Sequence, residues 1–216
     1  MRVENKNAVY NILGTVCLNG IQFFSIPIFT RVLGPEQYGI VSVYTTWVSI
    51  FSIIFGLQVQ GSIGTAIARL EKKEIKGYLS TILITGLLFS FFCLLIFLLF
   101  SEVISKLLLM SHTVLYLMVI QSIGTFVIAF SGIAFVFYKK AKNSFMINVT
   151  TAISTTVLSL LLSLYYFPSE SRYLGKMYGM VIPIILIATG ITVYFIKENW
   201  RCFNFNYIKF CLPLSI

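Results

Sequence analysis

The sequence predicts an all-α integral membrane protein, and three observations support this class. Hydrophobic residues make up 58% of the chain and charged residues only 11%, whereas soluble domains carry about 25% charged residues. The apolar residues are gathered into runs of about 20 or more, the length that an α-helix needs to cross a bilayer. Lys and Arg fall in short clusters between these runs, a pattern typical of membrane topology rather than of nucleic-acid binding.

Six apolar runs and the start of a seventh follow one another along the chain. Their approximate ranges are Val9–Leu33, Gly39–Ala68, Tyr78–Phe100, Thr113–Tyr138, Ser144–Phe167 and Leu174–Ile196, with the seventh beginning near Ile208. We therefore expect a six-helix bundle at 1–196, a linker at 197–207 and the beginning of a truncated helix at 208–216. The incomplete seventh run predicts either the first half of a longer protein or the product of an interrupted gene.

The distribution of basic residues predicts the orientation. Counted over alternate loops, twelve of the 16 Lys and Arg residues lie on the side of the N-terminus and four on the other side. Because basic loops are retained on the cytoplasmic side, the N-terminus is predicted to be cytoplasmic. The loops are short, so consecutive helices are expected to be antiparallel neighbours, and no loop is long enough for a soluble catalytic domain.

The inventory of reactive side chains excludes several kinds of chemistry. All seven acidic residues are glutamates near the ends of apolar runs, and the chain has no aspartate. Paired carboxylates for acid–base catalysis or for Mg²⁺ are therefore not expected inside the bilayer. The four cysteines form no C-x-x-C pair, and the lone histidine, His112, lacks partners for a metal site. We expect no catalytic residue, no metal and no cofactor.

Polar side chains follow single faces of several predicted helices. These faces comprise Asn11, Thr15, Asn19, Gln22 and Ser25; Ser42, Thr45, Ser49 and Ser52; Gln58, Ser62, Thr65 and Arg69; Gln121, Thr125 and Gly132; and Asn148, Thr151, Thr155, Ser159 and Ser163. Small and hydroxyl residues commonly serve helix packing, which is the simpler interpretation. The long amides favour a polar cavity instead, and the candidate substrate-binding residues are therefore Asn19, Gln22, Gln58 and Gln121.

Four further residues in or between the first two runs are candidates for binding or bending, and two of them have two interpretations. Arg31, about one turn before Gly34, either extends to the membrane interface or contacts an anionic group such as a phosphate, and it joins the candidate substrate-binding residues. Pro27 produces either a static kink or a hinge of the kind that moves in alternating access. Gly34 lies at the break between the two runs, and the polar face of the second run changes across Gly56. Pro27, Gly34 and Gly56 are the candidate hinges.

The hairpin between the first two runs carries the most specific motif. Arg31-Val-Leu-Gly34-Pro-Glu-Gln-Tyr38-Gly39 resembles the R-x-L-G-x-x-x-Y-G hairpin of the Wzx-like polysaccharide flippases. These belong to the multidrug/oligosaccharidyl-lipid/polysaccharide (MOP) exporter superfamily. Phe55-Gly56-Leu57 followed by Arg69, and Lys209-Phe-x-Leu-Pro213-Leu at the entry to the seventh run, are similar to that family as well.

The resemblance implies one half of a MATE-like/MOP exporter fold, in which two related halves form a V around a cavity that opens alternately to each side. It implies movement of an isoprenoid-diphosphate-linked oligosaccharide across a bacterial or archaeal cytoplasmic membrane, for O-antigen, capsule or a similar polysaccharide. The implied partners are the lipid bilayer, the lipid-linked glycan, and the polysaccharide polymerase and glycosyltransferases of the pathway. Such a cavity tends to be cationic. Arg31 is the one cation that we associate with a run interior, so the second half would supply the others.

Three alternatives to a flippase remain. A cation-coupled multidrug exporter of the same superfamily would use carboxylates inside the membrane, which this chain lacks. A membrane-bound acyl- or glycosyltransferase would need a histidine, an aspartate or a metal cluster near a leaflet surface. The chain could also be an inert truncated fragment. The sequence favours a flippase that is not an enzyme.

Overall fold

The computed structural model describes residues 3–199 and Tyr207, and this part of the chain is helical, without strands. Its α-helices are α1 Val3–Phe55, α2 Ser62–Arg69, α3 Lys72–Leu99, α4 Ser101–Leu108, α5 His112–Phe137, α6 Ala141–Leu161 and α7 Arg172–Asn199. Five stretches of the described chain are long and apolar enough to cross a membrane: Val9–Phe55, Glu74–Leu99, His112–Phe137, Ala141–Tyr166 and Ser169–Lys197. The all-α class is confirmed, and the apolar helices are those of a multi-pass membrane protein.

The first predicted run and the first part of the second lie on one long helix, α1, which is interrupted at Gly34. This residue has a φ of 75° and a ψ of 165°, a conformation that glycine adopts because it has no Cβ. Pro35 follows and lacks the N–H that would continue the hydrogen-bond ladder. A straight helix of the 47 residues Val9–Phe55 would be about 70 Å long, more than twice the thickness of a hydrocarbon core. Residues on both sides of Gly34 line one pocket, so α1 folds back on itself there.

The predicted run Gly39–Ala68 is not a single helix. α1 ends at Phe55, and Leu57 and Gln58 have φ values of 48° and 45°. A right-handed helix cannot continue through residues in this left-handed region. A short 3₁₀ turn and the separate helix α2 therefore follow. The Ser90 hydroxyl donates a hydrogen bond of 2.9 Å to the Phe55 carbonyl and so satisfies one backbone group at the end of α1.

Side-chain caps explain where the next helices begin. Glu71 and Glu74 form a capping box at the start of α3, in which the Glu71 N–H donates to Glu74 Oε2 at 3.2 Å. Ser111 precedes α5 and accepts a hydrogen bond from the Val114 N–H. Helix α4 lies in a predicted loop. The sequence did not indicate it because its eight residues are too few to form a membrane-length apolar run.

Helix α5 lies at the centre of the bundle and is the most buried of the candidate spans. Its first half packs against α1 and the start of α7, and its second half packs against α2, α3 and the end of α7. The ring of Phe126 occupies a slot between two glycines. A Cβ on Gly86 would lie 2.5 Å from this ring, and one on Gly56 would lie closer still. Gly56, a predicted hinge residue, thus makes room for a core side chain.

Small residues bring α6, and the π-helical turn Leu162–Tyr166 that continues it, into backbone contact with α7. A Cβ on Gly175 would lie 2.8 Å from Ser163 Cα, and Gly179 meets Ser159 in the same way one turn later. The Ser163 hydroxyl donates to the Arg172 carbonyl at 3.1 Å, and the Ser159 hydroxyl donates to the Lys176 carbonyl at 3.0 Å. Paired small residues four positions apart are typical of close helix contacts in membranes.

The predicted linker and seventh helix fall almost entirely on residues 200–206 and 208–216, which lie outside the described part of the chain. The domain boundaries therefore stay predictions. The described residue between these segments, Tyr207, packs its ring 5.6 Å from that of Tyr78 on α3.

Candidate functional site

A pocket of about 410 Å³ lies between the two arms of α1, α6 and α7. Gln22 and Thr45 stand on opposite arms at nearly equal distances along the chain from Gly34, so the fold-back of α1 brings both into the lining. The pocket falls within the range of about 300–1,000 Å³ that is typical of small-molecule sites. Its apolar lining residues are Ile21, Ile26, Phe29, Tyr38, Val41, Ala152 and Met180.

Hydroxyl groups from two helices form much of the polar lining. They belong to Ser25, Ser42, Thr45, Thr155, Thr156 and Ser159. The Ser25 hydroxyl donates to the Ile21 carbonyl at 2.6 Å, and the Thr155 hydroxyl donates to the Thr151 carbonyl at 2.8 Å. A hydroxyl that donates its proton to its own helix keeps lone pairs free to accept. The pocket therefore offers several hydrogen-bond acceptors to a ligand rich in hydroxyl groups.

Lys176 is the cation of this pocket. Its Nζ lies 4.1 Å from the ring centroid of Phe29 and 4.6 Å from that of Tyr38. Two aromatic faces stabilise the ammonium by cation–π attraction. The lining residues, all from the described part of the chain, include no carboxylate. An ammonium held by aromatic rings beside a pocket without carboxylates is suited to contact an anion.

The sequence analysis did not select Lys176. It was counted among the four basic residues on the side away from the N-terminus, although it lies two positions inside the predicted run Leu174–Ile196. That position was the available signal. Arg31, the cation that was selected, is exposed and does not line the pocket.

The predicted amides are not gathered in one place. Gln22 and Asn19 are both exposed, but only Gln22 lines the pocket. Gln58 is exposed at the break that follows α1. Gln121 is buried, and its Oε1 accepts a hydrogen bond of 2.6 Å from the Tyr44 hydroxyl. The structure thus places Gln121 in helix packing and Gln22 in the pocket.

The break in α1 is braced by the turn between α6 and α7. The Gln37 side chain donates to the Ser169 carbonyl at 2.7 Å and accepts from the Tyr173 N–H at 3.0 Å. Arg172 Nη1 donates to the Val32 carbonyl at 3.1 Å. These hydrogen bonds tie the predicted hinge at Gly34 to the start of α7.

The remaining points of the sequence analysis concern Pro27 and metal ligands. Pro27 lies within a helical part of α1, and its side chain is exposed. Within residues 3–199 and at Tyr207, no three His, Cys, Asp or Glu side chains come close enough to hold a metal ion.

Apolar helices of membrane length, with a hydroxyl-lined pocket that contains one lysine, are typical of a multi-pass membrane protein, and the pocket is its candidate ligand site. The sequence model of the polysaccharide biosynthesis protein family matches residues 5–214. The chain therefore belongs to this family, and the family predicted from the hairpin motif is confirmed. No curated protein and no solved structure shows significant similarity to the chain.

Proposed function

We propose that this protein translocates an isoprenoid-diphosphate-linked oligosaccharide across the cytoplasmic membrane for cell-surface polysaccharide synthesis. Membership of the polysaccharide biosynthesis family supports a role in making or exporting such polymers. The observation that favours export is the Lys176 ammonium beside a hydroxyl-lined pocket between membrane-length helices.

The chemistry of this pocket fits the polar head of such a substrate. A glycan diphosphate cannot cross hydrocarbon unaided, because each polar group that loses water without a new partner costs several kcal/mol. The pocket hydroxyls and the Gln22 amide would replace water around sugar hydroxyls, and Lys176 would pair with a phosphate. The isoprenoid tail can remain in lipid. Translocation of this kind forms and breaks no covalent bond, so the proposed protein is not an enzyme and uses no cofactor.

We infer that α1 crosses the membrane twice, with Gly34 at the outer surface, which gives six crossings and a cytoplasmic N-terminus. The length of α1 and the asymmetry of basic loops support this topology. In this orientation Lys176, four residues after the start of α7, lies about 6 Å from the outer end of that helix. The six crossings would correspond to one half of a MOP exporter fold.

The proposal is tested by deleting the gene in its host and analysing both the surface polysaccharide and the lipid-linked glycan. Loss of surface polymer with accumulation of the complete lipid-linked glycan at the cytoplasmic leaflet is expected, and the wild-type gene should reverse both changes. A shortened or missing lipid-linked glycan would indicate an enzyme of glycan assembly instead. Normal surface polymer with altered drug sensitivity would indicate a multidrug exporter.

Substitution of Lys176 tests the site separately. Lys176→Gln removes a charge-assisted bond of about 1.5–3 kcal/mol, so export should fall by about tenfold or more. Lys106→Gln is the matched control, because Lys106 is an exposed lysine on α4. Immunoblots of membranes should show equal amounts of both variants. Unchanged export by Lys176→Gln would refute the site and leave the family membership intact.

The two neighbouring amides of α1 offer a second comparison. Gln22→Leu should impair export because Gln22 lines the pocket, whereas Asn19→Leu should not because Asn19 lies outside it. If both substitutions impaired export equally, the whole polar face of this helix would contact the substrate.

A further inference from the structure

A second pocket lies at the end of the bundle opposite Gly34. This groove has a volume of about 360 Å³, is formed by α5, α6 and α7, and shares no residue with the pocket around Lys176. Its walls are mainly apolar, with Met146 on α6 and Ile187 and Ile191 on α7. Gly190 widens it, because a Cβ there would meet nothing within 4 Å.

One end of the groove is polar and positively charged. Asn143 lines the groove, and the adjacent Lys142 is exposed and lies one helical turn before Met146. On α7, Tyr194 lines the groove, and the exposed Lys197 follows it by three residues on the same face. Helical spacing therefore places both lysines on the groove sides of their helices, next to Asn143 and Tyr194, although neither lysine lines the groove itself.

The groove and the lysine beyond it together span about one leaflet of a bilayer. The groove lining on α7 runs from Ile187 to Tyr194, about 10 Å along the helix, and Lys197 lies about 5 Å further on. The hydrocarbon core of a membrane is about 30 Å thick, so the distance from Lys197 to Ile187 is close to half of that thickness. Tyr194 is 45% exposed and lies near the charged end of the groove. This position fits a membrane interface, where tyrosines are enriched.

We propose that this groove binds one anionic phospholipid from the leaflet that contacts Lys142 and Lys197. One acyl chain lies along Ile187 and Gly190, and the phosphate contacts the two ammonium groups. The site depends on the protein spanning a membrane and not on the identity of any transported substrate.

Native mass spectrometry of the purified protein tests this site, with phosphatidylglycerol and phosphatidylcholine as probes. The wild type should retain one phosphatidylglycerol after mild delipidation and about tenfold less phosphatidylcholine. Gly190→Leu should abolish retention because the side chain fills the groove. Gly39→Leu is the matched control, since Gly39 is also open to its surroundings but lies on α1, and it should bind as the wild type does.

Substitution of both exposed lysines tests the charge recognition without altering the groove. Lys142→Gln combined with Lys197→Gln should reduce phosphatidylglycerol retention by about tenfold or more and leave phosphatidylcholine unchanged. The double lysine variant tests the proposal even if Gly190→Leu fails to fold. Equal retention of both lipids by the wild type, or full retention by either variant, would overturn the proposal. If the wild type were a dimer and Gly190→Leu dissociated it, the groove would bind a second copy of the chain, and the lipid proposal would be overturned too.

Discussion

The backbone contact between α7 and the π-helical turn that continues α6 predicts different effects for two alanine substitutions on α7. A Cβ added to Gly175 would lie 2.8 Å from Ser163 Cα, whereas carbon atoms pack at about 3.5–4.0 Å. The helices must therefore separate locally by about 1 Å to accept Gly175→Ala. Gly190, on the same helix, has nothing within 4 Å of such a Cβ, so Gly190→Ala needs no rearrangement.

The expected free energies follow from these distances. Overpacking of a rigid contact costs about 1–3 kcal/mol, and separation also weakens the 3.1 Å bond from the Ser163 hydroxyl to Arg172, which contributes about 1 kcal/mol. Alanine recovers up to about 1 kcal/mol of helix propensity at either position. Gly175→Ala should therefore lower the free energy of unfolding by about 1–3 kcal/mol, while Gly190→Ala leaves it equal or slightly higher.

Thermal unfolding of both variants and the wild type in one detergent measures this difference. A loss of 1 kcal/mol lowers the midpoint by about 2–4 °C for a chain of this size, so Gly175→Ala should unfold about 2–12 °C below the wild type. The monomer peak in size-exclusion chromatography after heating reports the folded fraction. A Gly175→Ala variant as stable as Gly190→Ala would show that α6 and α7 do not meet at this contact.

Four further substitutions, one of them added to another in a double variant, probe other contacts in the same unfolding assay or by hydrogen exchange. Phe126→Ala should cost about 3–5 kcal/mol because it empties the slot between two glycines, and an unchanged midpoint would contradict this packing. Tyr44→Phe should cost about 1–3 kcal/mol, since it leaves buried Gln121 Oε1 without a donor. Adding Gln121→Leu to Tyr44→Phe should recover part of the loss. Gln37→Ala removes the hydrogen bonds to the Ser169 carbonyl and from the Tyr173 N–H, so amide exchange in that turn and at the start of α7 should accelerate while exchange in α5 stays the same.

The helices were predictable where a single stretch of chain determines them. The break at Gly34 follows from a glycine next to a proline, and the long apolar runs follow from composition. The second run illustrates the limit. Its polar face changes across Gly56, which favoured a hinge there, but the run was still predicted to continue as one helix to Ala68. In the structure α1 ends at Phe55, and Leu57 and Gln58 adopt left-handed conformations. The Phe126 ring that packs against Gly56 comes from α5, so the sequence of the second run alone could not predict this contact.

The candidate site was predictable only in part. Gln22 was selected because it lies on a polar face of α1, and it does line the pocket. Gln121 was selected for the same reason, yet its partner is Tyr44 on another helix. Lys176 was overlooked because a basic residue near the end of an apolar run resembles a topology signal.

By itself, the sequence determined the membrane class, the family, the break at Gly34 and the angular position of each polar side chain around its own helix axis. Helical periodicity is sufficient for the last of these, since it depends on neighbours along the chain alone. Only the tertiary structure decided which faces meet. Whether an amide such as Gln22 or Gln121 lines a pocket or bonds to a neighbour depends on the rotation and spacing of separate helices. Contacts between residues far apart in the chain set both quantities, as where Gly175 allows α6 to approach α7.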